Sequence, residues 1–461
     1  NLEESLLGTD PNNSDTDGDE LTDAEEVDTT MTDPRDADTD DDRLSDGEEL
    51  AHSTNPNEPD SDSGVFTDGG EVLADGTDPL NAADDVVAFP VSEAFSYPAS
   101  PDLAVDSAGN VHVVWSDRDS VTLNYEVHYA MVSPQGASLI SQTRISQATS
   151  HAQHPRVAVD DNAIVHVVWT DEDPVTGESE QLFHTVLDPS FDDRDGSPGD
   201  EATITVVPDR RILPIGSHAS SHEIAVDQVN RIHVVYTQFD EELYYVQLAS
   251  VAAAPSPPLL LSHRAEGLGE RTRPAVDAGP LGEVHIAAVG VDLSGNSRVL
   301  YMQLNPSTLA LTVAPTPLTM DLEVYPRSIS LTVGPTGLVT LAQADWILYQ
   351  VIPVTIDPAR DDRDGDPAVP SEIRVRPPQF LASGETGEAE YPFVESDRYG
   401  NIWVSYLTFW PDRVWVSVIG PDGAVVLPEQ DFAPDGTVRH YDDPIDLAPI
   451  AVDAANGYVA W

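Results

Sequence analysis

Leu103-Ala-Val-Asp-Ser-Ala-Gly-Asn-Val-His-Val-Val-Trp-Ser-Asp117 is the stretch from which the rest of this 461-residue chain can be read. It recurs as Val157-Ala-Val-Asp-Asp-Asn-Ala-Ile-Val-His-Val-Val-Trp-Thr-Asp171, and again as Ile224-Ala-Val-Asp-Gln-Val-Asn-Arg-Ile-His-Val-Val-Tyr236. A looser copy starts at Ala275, blurred copies start at Ile329 and Phe393, and a last one opens at Ile450 with Ala451-Val452-Asp453. Seven copies, spaced by roughly 50 to 65 residues, mark a repeat fold.

Each copy has the chemistry of two short strands. Ala-Val-Asp ends on a carboxylate that can cap the following turn, where Gly109 tolerates positive φ. Val111-His-Val-Val-Trp115 is a β-branched and aromatic run suited to a buried strand. A third strand follows at Glu126–Ala130, and a fourth at Thr143–Ser146. Four antiparallel strands repeated around a ring make a β-propeller. The spacing therefore predicts a mainly β fold: a propeller of four-stranded blades, seven repeats over residues 86–461. Its ring is expected to close by pairing an outer strand near 86–98 with inner strands from 449–461.

His112, His166, His233 and His285 recur at one strand position with no second ligand type at metal spacing. They are expected to pack or to hydrogen-bond the neighbouring blade. Asp106, Asp160, Asp227, Asp277, Asp397 and Asp453 read as turn caps. Trp115, Trp169, Trp403 and Trp461 read as blade packing.

The net charge of -61 argues against nucleic acid and anionic membrane surfaces as partners, and for bound divalent cations. No apolar run is long enough to span a membrane, and cysteine is absent. The chain opens at Asn1 without a secretion signal, which reads as a processed or partial chain.

Residues 1–85 carry 29 acidic and 2 basic side chains, and have a second repeat of about 22 residues. Carboxylates fall at positions 1, 3, 9 and 12 of each copy, with a backbone carbonyl at position 7, which is the spacing of a calcium loop. The candidate ligands are Asp15, Asp17, Asp19, Leu21, Asp23 and Glu26 in the first loop, and Asp38, Asp40, Asp42, Leu44, Asp46 and Glu49 in the second. The third has Asp60, Asp62, Phe66, Asp68 and Glu71, with Gly64 in place of the fifth-position carboxylate, and should bind more weakly. Position 6, ordinarily Gly in an EF-hand, is Glu20 in the first loop and Arg43 in the second. Such a segment has little apolar area and self-repelling carboxylates, so metal binding supplies its folding free energy. Short helical turns are expected at Ala24–Val27 and Glu48–His52.

These loops, with their Thr-Asp/Asn-Pro spacers over residues 8–79, resemble bacterial thrombospondin type 3-like repeats. The resemblance implies several Ca2+ ions and a further side-chain oxygen ahead of each loop, at Asn13, Asp36 and Glu58. Two acidic insertions, at 187–197 and 356–366, offer a second set of calcium candidates: Asp193, Asp195, Asp362, Asp364 and Asp366.

The propeller phrase, with Glu126-Val-His-Tyr129 after it, resembles sialidase-like (BNR-type) propeller proteins. Enzymes of that family would imply an arginine cluster, a Tyr-Glu pair and an Asp acid. The Arg-Ile-Pro signature is absent, and Ser396-Asp-Arg-Tyr-Gly-Asn-Ile-Trp403 has the wrong Asp spacing for an Asp-box. The expectation is therefore no enzyme, but a calcium-stabilised secreted or cell-surface structural or adhesive protein. Its partners are expected to be copies of itself in an extracellular fibre, and surface glycans or matrix. A carbohydrate-binding propeller lectin and a sialidase-like glycoside hydrolase are the alternatives.

Overall fold

The computed structural model describes residues 8–62, 67–72, 78–81, 91–92, 98–118, 124–146, 151–172, 180–192, 201–238, 242–262, 274–291, 297–318, 326–345, 350–360, 373–376, 381, 388–409, 413–431, 450–452 and 457–459, apart from 11, 41, 43, 135 and 422. Two compact units are present: 1–88 with 425–430, and 89–424 with 431–461.

The larger unit is a β-propeller. Four-stranded antiparallel sheets are built from β1 Ala99–Val105, β2 Val111–Arg118, β3 Tyr125–Val132 and β4 Ser138–Arg144; then from β5 Gln153–Val159, β6 Val165–Asp171, β7 Gln181–Leu187 and β8 Thr205–Arg211. The third blade is β9 Ser221–Val226, β10 Ile232–Gln238, β11 Glu242–Leu248 and β12 Leu259–Ser262. The fourth is β13 Ala275–Ala278, β14 Val284–Val291, β15 Ser297–Asn305 and β16 Ala310–Leu318. In the fifth, β17 Pro326–Val333, β18 Val339–Asp345 and β19 Gln350–Ile356 form three strands, and bridges from Arg374 and Leu381 to β19 mark the place of a fourth. The sixth is β20 Glu388–Ser396, β21 Ile402–Phe409, β22 Arg413–Ile419 and β23 Val425–Asp431.

The expected count of seven blades is corrected to six. Among the described residues the seventh sequence copy makes a two-stranded ladder, β24 Ile450–Val452 with β25 Gly457–Val459, beside β1 and β20. Three ladder pairs cannot present the apolar face that a blade packs on its neighbour. The strand expected near 86–98 falls largely outside the described residues, so it neither supports nor opposes closure by the chain ends.

The core lies between blades. Val127, Tyr129 and Ile140 of the first blade pack with Val165, Val167 and Trp169 of the second. Val168 and Leu182 of the second pack with Val234 and Tyr236 of the third, and the pattern continues to the sixth. This arrangement explains why Val-His-Val-Val reads as unbroken burial rather than alternation: both faces of the second strand are covered. Polar side chains also tie the inner strands together. Asp102 accepts from Val157 N at 2.8 Å, and Ser328, Ser330 and Thr332 accept from the backbone N–H groups of Tyr391, Val394 and Ser396.

The recurrent histidines are buried inside their own blades. His112 Nδ1 meets the Tyr129 hydroxyl at 2.9 Å, His233 meets Tyr245 at 2.7 Å, and His285 meets Tyr301 at 2.8 Å. In the second blade His184 replaces the tyrosine, 3.4 Å from His166. Packing was the correct part of the expectation; these partners belong to the same blade, not the next one. The turn carboxylates support the rings: Asp106 accepts from Ala108 N and Asn110 N and lies 3.4 Å from His112 Nε2. Against the upward push of burial, hydrogen bonds from His112 and Asn110 hold Asp106 below the usual carboxylate range.

Asp160, Asp227 and Asp397 cap turns in the same way, but Asp277 does not. Its turn is closed by Gly279 N donating to Glu283 O, and Asp277 accepts from Val333 N of the next blade. Trp115 and Trp169 are buried and stack on His128 and Phe183, and Trp403 is buried as well. Asp453 and Trp461 lie outside the described residues.

Candidate metal centre

The smaller unit repeats one hydrogen-bond scheme three times. Position-9 carboxylates close each loop: Asp23 accepts from Thr16 N and Oγ1, Asp46 from Thr39 N and Oγ1, and Asp68 from Ser61 N and Oγ. The same hydroxyls accept from the spacer backbone at Asp10, Asp33 and Asn55. One short side chain therefore fastens both ends of a loop that has almost no core; among the described residues of 8–81, Leu44 and the spacer prolines Pro34, Pro56 and Pro79 are buried. Helical turns follow at Asp23–Glu25, continued by a π-helical turn Glu26–Thr30, and at Asp46–His52 and Asp68–Gly70. Thr22 with Glu25, and Ser45 with Glu48, form capping boxes that start the first two. Glu20 at position 6 takes φ 81°, the left-handed backbone that a glycine favours there.

The carboxylates converge. One oxygen each of Asp15, Asp17 and Asp19 lies within 4.8 Å of the others, and the same holds for Asp38, Asp40 and Asp42. A third group, Asp19, Glu26 and Asp46, spans two loops. Both oxygens of Asp17, Glu26 and Asp40, and Oε2 of Glu49, are buried with no hydrogen-bond partner. Burial first, then Asp17 and Asp19, pushes Glu26 up to about 8. Burial and then Asp40 and Asp42 push Glu49 up to about 9, and burial and Asp42 push Asp40 up to about 7. Oxygen-only donors, buried, convergent and unsatisfied, fit a hard divalent cation such as Ca2+.

Asp60, Asp62, Asp68 and Glu71 of the third loop are described, whereas Phe66 is not. Leu21 and Leu44 occupy position 7 of the first two loops. Asn13 donates its side-chain amide to the Asp15 carbonyl, and the Asp36 N–H donates to Asp33 O. Of the acidic insertions, the described parts are capped turns: Asp188 accepts from Ser190 N, and Asp357 from Ala359 N. Asp193, Asp195, Asp362, Asp364 and Asp366 lie outside the described residues.

Two features escaped the sequence reading. Asp19 accepts from Gly47 N at 3.1 Å, and Asp42 from Gly69 N at 2.6 Å, so the position-5 carboxylate of one loop caps the helix of the next. A Cβ at Gly47 would lie 2.1 Å from Asp19 O, and one at Gly69 2.3 Å from Asp42 O. The signal was present: position 10 is Gly in the second and third loops, and Ala24 in the first, which uses that place in neither contact.

The model of the bacterial TSP3 repeat matches residues 38–59 and 66–82. No curated protein matches the chain. Among solved structures, it is similar to an ulvan lyase of a polysaccharide lyase family, at 10% identity and TM-score 0.46, over 72% of this chain and 80% of that one. A Podospora anserina α-L-arabinofuranosidase matches at 11% identity and TM-score 0.32, over 54% and 83%, and a Hadza microbial sialidase at 10% and 0.42, over 74% and 72%. Likeness at this level assigns no reaction. It does overturn the expectation that the chain is no enzyme. That expectation rested on missing sialidase motifs, and the similar propellers include a lyase and an arabinofuranosidase, whose chemistries those motifs do not address.

Proposed function

We propose that the chain is a calcium-stabilised extracellular structural or adhesive protein, with residues 1–85 as a metal-built connector and 86–461 as the propeller it carries. The observation that carries this reading is the set of buried, unsatisfied carboxylates at Asp17, Glu26, Asp40 and Glu49, repeated in register. The family match over residues 38–59 and 66–82 supports it. Extracellular modules meet millimolar Ca2+ and bind it with modest affinity, the regime in which partly exposed loops fill. Among the described residues no helix is long and apolar enough to cross a membrane.

Self-association is part of the proposal. Among the described residues β25 pairs only with β24, and a strand edge that stays uncovered accepts a strand from another molecule. A contact of that kind between unlike surfaces propagates as a fibre. Light scattering and electron microscopy of the full chain test it, with millimolar Ca2+ and with chelator. Calcium-dependent particles larger than one chain support the fibre; a monodisperse monomer under both conditions removes it.

A further inference from the structure

Each of the first four blades buries a histidine between a turn carboxylate and a second ring on the third strand. In the first, third and fourth blades that second ring is a phenol, Tyr129, Tyr245 or Tyr301. A phenol hydroxyl both donates and accepts, so it can follow the proton on Nδ1 whether the imidazole is neutral or charged. The carboxylate lies 3.4 Å from Nε2 in the first blade, 3.2 Å in the third and 3.7 Å in the fourth. The second blade departs on both sides of the ring. His184 stands in place of the phenol, and Asp160 draws back to 3.9 Å from His166 Nε2.

Both histidines are fully buried. Their rings are 6° from parallel, and the 5.6 Å centroid separation is the 3.4 Å nitrogen gap plus the two ring radii, so they meet edge to edge. One proton fits on that line. With His184 Nε2–H donating to His166 Nδ1, the proton on His166 Nε2 points at Asp160, and His184 Nδ1 is left without a partner. Charging both rings would set N–H against N–H across the gap, with two cations buried together. The charged groups around the pair are Asp160 and Arg210; Arg210 pairs with His184 on β8 and donates to Val251 O of the third blade. Opposite His166 on β5 is Ala158. Val168 and Leu182, two residues along on the same face, pack on Ile232, Val234 and Val246, where the titratable neighbours are Tyr236 and Tyr244, with Glu242 accepting from Tyr244. Burial, His166 and Arg210 all push His184 downward, whereas Asp227 opposes the push of burial on His233.

We propose that the second blade is an acid-triggered opening point of the propeller: on mild acidification the edge-to-edge His166–His184 pair parts, and β6 and β7 open before the neighbouring blades. Opened, each imidazole binds a proton below its ordinary value of about 6.5, whereas the closed geometry accepts at most one charge for the pair. The closed form therefore binds fewer protons than the open one. Its stability is full above about 6.5 and is lost as pH falls below that value, by about tenfold in the closed-to-open ratio per pH unit for one proton.

The test is hydrogen exchange of the full chain in millimolar Ca2+, in steps from about pH 7.5 to about pH 5, read as protection factors corrected for intrinsic exchange at each pH. In wild type, protection of β6 and β7 should fall about tenfold per pH unit below about 6.5, relative to β2 and β10. His184→Tyr installs the phenol of the other blades. His184→Gln keeps a donor for His166 Nδ1 in a side chain that does not titrate. In both variants the second blade should track its neighbours down to the lowest pH. Wild-type protection that stays even across the three blades at every pH would overturn the proposal, as would an acid loss at β6 and β7 that survives either replacement of His184.

Discussion

Replacing Gly47 by Ala is the sharpest test of how the loops stack. Neither Gly47 nor Gly69 has a positive φ, so nothing in the backbone itself forbids a side chain. In a free helix Gly→Ala stabilises by about 0.5–1 kcal/mol. Here the new Cβ would sit 2.1 Å from Asp19 O, against an ordinary contact of 3.4 Å or more, so a backbone carbonyl must retreat by more than 1 Å. That movement also takes Asp19 Oδ2 away from Gly47 N. Overpacking typically costs about 1–3 kcal/mol. A hydrogen bond to a charged group contributes about 1.5–3 kcal/mol. Less the helix gain, we expect a loss of roughly 2–5 kcal/mol in the coupling of the first two loops. Limited proteolysis across a calcium titration measures it: Gly47→Ala should need at least tenfold more Ca2+ to protect residues 8–62. Ala24→Gly, at the matching place in the first loop, should change protection only slightly. A Gly47→Ala protein protected at wild-type calcium, or below, refutes the stacking argument.

Three further outcomes follow from the same geometry. Asp17→Ala should weaken calcium affinity more than Asp62→Ala, because the third loop already lacks a position-5 carboxylate; isothermal titration separates them. Holding this fold without metal pushes Glu26 up to about 8 and Glu49 up to about 9, against 4.5 for an ordinary glutamate, so metal-free folding takes up protons and its stability falls as pH rises from the ordinary glutamate value through that window. The metal-free loops should therefore be unfolded at about pH 7 with their glutamates already ionised, and calcium uptake there should release few protons; equal apparent heats in buffers of different ionisation enthalpy check it. Tyr129→Phe leaves the buried His112 Nδ1 without its 2.9 Å partner and should cost about 1–3 kcal/mol by denaturant unfolding of the propeller.

Periodic features were legible in the sequence. Val-His-Val-Val-Trp announced a strand covered on both faces, and the carboxylate spacing announced the loops before any geometry. What required the fold was pairing at a distance. His112 and Tyr129 lie on adjacent antiparallel strands with His112 opposite Met131, so their contact is diagonal and depends on register. Asp277 looks like the other turn carboxylates until Gly279 takes over its turn and frees it for the next blade. The blade count failed because a repeat motif records two strands, whereas a blade needs a sheet. Stacking of the loops through Gly47 and Gly69 was visible only as an unexplained glycine. The exclusion of enzymatic activity failed for a different reason, since it inferred an absence from the motifs of one family.

Hydrogen exchange of the full chain, with millimolar Ca2+ and with chelator, addresses the central claim that calcium folds the N-terminal loops. With calcium, amides closed by the repeated scheme should be protected: Asp23 and Asp46, Gly47 and Gly69, and Thr16, Thr39 and Ser61. With chelator these should exchange at the rate of an unfolded chain, while β2, β6 and β10 keep their protection. Loop amides that remain protected in chelator would contradict the account, because the fold of that segment would then not depend on the metal.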